Sequence, residues 1–178
     1  MPKLHLYLVS YDDTKTPLQG LRVHWALLLA PPPGREDPGT LVRCAARYHA
    51  TRRGGRWAFE RRAVECVRSP AMLGRVRVAT VDARGGADVD RVLCGVRVRG
   101  RDEGEGGDGG GDEDWDCRSW VEDALRALEK QGAVDFRRVF RMEDLFAFAQ
   151  RFSEKVVESG LNVGYGIPPT INYPGPRL

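Results

Sequence analysis

The sequence predicts an α+β fold in which an antiparallel sheet packs against helices, one of them opening on a cysteine. Three observations carry this. Most of the first hundred residues break into apolar or alternating runs of strand length, and the last third holds two stretches with helical apolar spacing. The whole, 178 residues at 42% hydrophobic and 30% charged, suits one soluble domain with a genuine core.

Taken in order, "LYLVSY" (4–9) and "LRVHWALLLA" (21–30) read as strands, the second apolar enough for the middle of a sheet, and "PPPG" at 31–34 stops it. "TLVRCAARYHAT" (40–51) and "RWAFERRAV" (56–64) suit a hairpin turning at Gly54-Gly55. "GRVRVATV" (74–81) alternates as a strand with a polar face, and "DVDRVLCGV" (88–96) predicts a short helix from Asp88. "GRDEGEGGDGGGDED" (100–114) holds no apolar residue, so nothing offsets the cost of ordering it, and a disordered surface loop is expected.

A helix then begins at Cys117. Asp116 is placed to accept a hydrogen bond from first-turn amides, Glu122 and Asp123 follow near the positive end of the dipole, and Gly132 ends the helix after Lys130. Trp120, Val121, Ala124, Leu125 and Leu128 form its apolar stripe, which Cys117 joins by its i+3 and i+4 spacing. A second helix runs from about Met142 to Glu158, and a Gly/Pro/Asn-rich arm, extended or partly disordered, follows Gly160. The expected organisation is a single domain over 1–171, interrupted by the acidic loop, with a Pro/Gly-rich tail at 172–178.

Composition narrows the function classes. The amino end lacks the apolar run of a signal peptide, and no segment is apolar enough to span a bilayer. The cysteines Cys44, Cys66, Cys94 and Cys117 form no C-x-x-C pair and read as reduced thiols of a cytoplasmic or nuclear protein. His5, His24 and His49 lack metal-ligand spacing, so neither a metal nor any other cofactor is expected. The net charge of +3 is uneven: residues 1–100 hold 18 Lys/Arg against 9 Asp/Glu, residues 101–117 hold 1 against 8, and residues 118–178 hold 9 against 8. A basic body with clusters such as "TRRGGR" reads as a solvated face or as a surface for phosphates and nucleic acid, although no aromatic-interleaved nucleic-acid motif accompanies it.

Cys117 carries the sharpest expectation. Thiolate is the attacking species, and a helix amino terminus lowers a cysteine pKa, whereas an apolar stripe suits a small buried thiol equally well. His24 lies on the strand face opposite Trp25 and Leu27, and His49 falls on the next strand, where one ring can orient the other. Nucleophile, base and orienting group are the parts that thiol-dependent acyl transfer needs.

"HWALLL", "YHA" and "DCRSWVEDAL" resemble the His, His/polar, Cys order of circularly permuted papain-like proteins, the NlpC/P60-like group that includes lecithin:retinol acyltransferase and its phospholipid-acyltransferase relatives. The chain is also similar to a group of fungal proteins with a "HWALL…YHA…CRSWV" layout. The resemblance implies Cys117 as nucleophile, His24 as general base and His49 as orienting group. Asp116 stands where the acyltransferases have asparagine, and "PPPGREDPG" widens the spacing between the histidines. Trp25, Tyr48 and Trp120 flank these residues and are candidates to line a cleft or to serve as ordinary core. The implied chemistry is a covalent thioester on Cys117, with the oxyanion held in part by the Cys117 backbone N–H and a small-molecule, acyl-carrier or peptide substrate. Two other classes remain: a catalytically silent papain-like binding module, and a basic adaptor for phosphate or nucleic-acid ligands.

Overall fold

The computed structural model describes residues 3–13, 21–32, 45–64, 71–82, 84–99, 115–136, 141–160 and 169–174. The acidic stretch 100–114, Cys44 and Cys66 lie outside the described residues. Six strands, β1 (Lys3–Asp12), β2 (Val23–Ala30), β3 (Ala46–Arg53), β4 (Arg56–Ala63), β5 (Met72–Asp82) and β6 (Thr170–Asn172), form one sheet in the order β4-β3-β2-β1-β5-β6. Helices α1 (Gly85–Cys94), α2 (Cys117–Lys130) and α3 (Met142–Glu158) complete the α+β architecture. None of the described helices is long and apolar enough to cross a membrane.

The sheet is mixed, which corrects the expectation of an antiparallel one. The residues expected to form an arm return to the sheet at Thr170–Asn172 and pair parallel to β5, fastened by Arg75 N–H to Pro169 O at 3.0 Å and Tyr173 N–H to Arg77 O at 3.1 Å. Asn172 thus belongs to the folded body rather than to a tail. Helix α1 begins three residues before the expected Asp88, because the Asp82 carboxylate accepts the Gly85 N–H at 2.8 Å.

Register explains the apolar runs of β1 and β2. Leu6 and Leu8 stand opposite Leu29 and Leu27, and these side chains share one buried cluster with Tyr48, with Trp120 and Leu125 of α2, and with Leu145 and Phe146 of α3. The alternate residues Tyr7, Val9, Tyr11, Ala26 and Leu28 form a second buried cluster. Both faces of the central strands are therefore buried, and alternation vanishes from their sequence. All three helices pack on the first face, which we call the helix face; the other, which carries His24 and His49, is the imidazole face. Gly54 and Gly55 both take positive φ, 58° and 84°, as a two-residue hairpin turn requires.

Helix α2 is anchored along its length. Trp120, Val121, Ala124, Leu125 and Leu128 are each 0% exposed, and every such large apolar side chain contributes about 1.5–3 kcal/mol relative to exposure. Asp116 caps the amino end, accepting the Ser119 N–H at 2.9 Å. At the carboxyl end Gly132, with φ 63°, closes the helix with Gly132 N–H to Glu129 O and Ala133 N–H to Leu128 O.

Helix α3 closes tightly on β5 at Gly74, where an added Cβ would lie 2.6 Å from Phe152 Cε1. Gly74→Ala is expected to lower stability by about 1–3 kcal/mol in denaturant unfolding. Adding Phe152→Leu should recover part of that loss, and an unchanged midpoint in the single variant would refute this packing.

Candidate active site

The ladder between β2 and β3 covers only Leu27↔Tyr48, Leu28↔Arg47 and Leu29↔Ala46. Trp25 lies beyond its end, and its N–H donates instead to Cys117 Sγ at 3.4 Å. The stripe of α2 holds the helix on the helix face with its first residue at this split between strands, so Cys117, 8% exposed, brings its sulfur against the backbone of β2. The nitrogen it meets is bonded to the carbonyl carbon of His24.

The two histidines meet as the sequence predicts. His24 Nε2 lies 2.7 Å from His49 Nδ1, the rings set edge to face with centroids 4.9 Å apart. On the far side, His49 Nε2 lies 3.2 Å from Glu60 Oε2 on β4, and Arg53 reaches the other carboxylate oxygen at 3.2 Å. An ionised carboxylate only accepts, so His49 donates from Nε2 and presents a lone pair at Nδ1. His24 must then donate from Nε2, which leaves its Nδ1 lone pair without a hydrogen-bond partner among the described residues. The series Glu60, His49, His24 thus fixes both tautomers and leaves one basic nitrogen.

Electrostatics correct the expectation of an activated thiol. Burial pushes the Cys117 thiol up to about 11; the N–H groups of Trp25, Arg118 and Cys117 oppose this, and the Asp116 carboxylate adds to it. Asp116 spends hydrogen-bonding capacity on the helix cap yet still disfavours a thiolate. Burial also lowers His24, aided by Arg47 and opposed by Asp13 and Asp116. It lowers His49 to about 4, aided by Arg47 and His24 and opposed by Glu60. The resting pair is a neutral thiol beside a neutral imidazole, and no hydrogen bond joins Cys117 to His24 among the described residues.

Trp25, Tyr48 and Trp120, candidates for a cleft lining, are 6%, 1% and 0% exposed and pack in the core. Trp25 stacks edge-on against Phe146, and Trp120 lies 5.6 Å from the Phe59 ring. Tyr48 turns its hydroxyl away to donate to Asp90 at 2.6 Å. Sequence reasoning missed Glu60. Its signal was present: a two-residue turn at Gly54-Gly55 sets Arg53 opposite Arg56, and counting back along that register sets His49 opposite Glu60.

Fold and site together define an α+β protein in which the thiol of a helix's first residue and an imidazole–imidazole–carboxylate series lie at the split end of a six-stranded sheet. The chain belongs to the Family of unknown function (DUF6914), matched over residues 3–161, a span that takes in all three helices and every member of the series. No curated protein and no solved structure matches it.

Two outcomes test the electrostatics. Because the folded-state pKa of His49 lies below its unfolded value, the unfolded chain binds the extra proton between pH 6.5 and about 4. Stability is complete above that window and falls as pH drops through it, at up to about 1.4 kcal/mol per unit for each such group. Thermal unfolding of His49→Gln should show a shallower slope there, and an equal slope would contradict the assignment. Iodoacetamide, followed at the Cys117 peptide, should react slowly at neutral pH and ever faster toward pH 10, with no plateau near neutrality.

Proposed function

We propose that this chain is a cysteine-dependent hydrolase or acyltransferase of permuted papain-like type, acting on the carbonyl of a small-molecule, acyl-carrier or peptide substrate. The observation that carries the reading is the 2.7 Å contact between His24 Nε2 and His49 Nδ1, ending on Glu60, beside a sulfur seated on the next residue's N–H. Three strands and a helix amino terminus converge there, in the chain order of the permuted group.

With thiol and imidazole both neutral at rest, proton transfer accompanies attack rather than preceding it. Once substrate binding brings His24 Nδ1 within hydrogen-bond reach of Cys117 Sγ–H around the split end of β2, the imidazole takes that proton as sulfur bonds to the carbonyl carbon and the carbonyl π pair moves onto oxygen. The backbone N–H groups of Trp25, Cys117 and Arg118, already directed at the sulfur, are the donors nearest the developing oxyanion. Collapse of the adduct expels the leaving group, which takes the proton from His24. Water or an amine then attacks the thioester, giving its proton to His24, and that proton returns to sulfur as the acyl group leaves. His49 and Glu60 are positioning residues, holding the tautomer that keeps Nδ1 of His24 free.

A second reading, a catalytically silent domain of the same type, draws on the raised Cys117 pKa. Incubating the full chain with a panel of 4-nitrophenyl esters and acyl thioesters separates the two. Intact-mass analysis should show one acyl group on Cys117, absent in Cys117→Ala and formed about 100-fold or more slowly in His24→Ala. Equal release of 4-nitrophenolate by the wild type and Cys117→Ala, with no acyl group on the protein, would leave the silent-domain reading.

A further inference from the structure

The hairpin register that brings Glu60 to His49 also sets Arg47 of β3 directly opposite Arg62 of β4, on the same imidazole face. Like charges in that position destabilise a sheet pair, their Cβ atoms lying about 4.5–5.5 Å apart. No ion pair compensates either guanidinium among the described residues. Arg53, also on this face, is paired with Glu60, whereas Arg62 is exposed and Arg47 keeps its Nε buried without a hydrogen-bond partner. The pair adjoins the imidazoles: Arg47 is two residues from His49, and its guanidinium lies 5.3 Å from the Tyr11 ring, whose centroid is 6.4 Å from that of His24. The charge of Arg47 also reaches His24, His49 and Glu60 strongly enough to shift their protonation.

We propose, resting on the acyl-transfer reading, that Arg47 and Arg62 form an anion-binding subsite and that the acyl donor carries a carboxylate or phosphate oxyanion. Arg47 also bonds the Tyr11 side chain, but its Nε and the Arg62 guanidinium keep donors that match such a group, and its arrival turns a repulsive pair into two charge-assisted contacts beside the imidazoles. The cost of the pair in the free protein is then returned on binding.

The subsite is tested first without chemistry. In full-length Cys117→Ala, sodium phosphate and sodium glutarate are compared with sodium chloride at equal ionic strength. Either anion should raise Tm saturably, and whichever acts more strongly identifies the group. The rise should vanish with Arg62→Gln added and persist with Arg91→Gln, a change on α1 at the helix face. Arg62→Gln in chloride alone should leave Tm unchanged or higher, since it relieves repulsion; a fall would make Arg62 a structural residue and overturn the proposal.

The second test uses the wild type with 4-nitrophenyl hydrogen glutarate and 4-nitrophenyl valerate. The anionic ester should be preferred in kcat/KM by about tenfold or more, and Arg62→Gln should bring the ratio toward unity. Anion-specific stabilisation with neither ester acylating Cys117 would support the subsite and refute acyl transfer. Equal acylation by both esters, with no stabilisation beyond that of chloride, would refute the subsite and leave acyl transfer standing.

Discussion

The pairing of β2 with β3 stops at Leu27↔Tyr48, and the site depends on that interruption. Were the ladder to continue, the Trp25 N–H would meet a β3 carbonyl and the sulfur would have no seat between the strands. The split survives because its neighbours are strongly fixed: β2 is paired with β1 from Val23 to Ala30, and α2 buries an unbroken apolar stripe beneath it. The two imidazoles then close from one side of the sheet what the thiol closes from the other, with a 2.7 Å hydrogen bond spanning strands whose backbones have separated. Local loss of backbone pairing is thereby compensated by a hydrogen bond between side chains.

Burial outweighs the helix terminus in this pocket. Three N–H groups favour a negative sulfur, yet desolvation is the largest influence on Cys117, and it is likewise the largest on His24 and His49. One formal charge remains in the hydrogen-bonded series, on Glu60 at its outer end, where Arg53 balances it. Such an arrangement stores no resting thiolate–imidazolium pair. On the acyl-transfer reading proposed above, the substrate, by excluding water and presenting a carbonyl, would complete the polar environment that the free protein lacks.

Local pattern revealed the elements whose logic is local. The limits of α2 and α3 follow from Asp116, Gly132 and Gly160 together with helical apolar spacing, and the hairpin from Gly54-Gly55. Cys117, His24 and His49 were legible because each is a chemically distinctive side chain at a definable place on an element. What escaped depends on distant pairing. Thr170–Asn172 has too little apolar character to announce a strand and becomes one only through the backbone of β5. Glu60 looked like one more charge in "WAFERRA" until its partner across the hairpin gave it a role. The thiol pKa was misjudged because a helix end is visible in a sequence, whereas the degree of burial around one sulfur is a property of the assembled pocket. Trp25, Tyr48 and Trp120 were ambiguous for the same reason: aromatic side chains serve core and cleft alike, and their buried placement comes from packing against Phe146, Asp90 and Phe59.

The outer edge of β4 has a consequence of another kind. The opposite edge of the sheet ends in β6, only three residues long, whereas β4 offers eight residues of strand at the other. Among the described residues no strand pairs with its outer edge, and an edge strand of that length is a template for pairing with another chain. Arg61 and Arg62 project from its two faces, so a strand arriving from either side would have to dehydrate a guanidinium to dock. By the general rule for edge strands, such a charged border disfavours edge-to-edge pairing between copies of the chain.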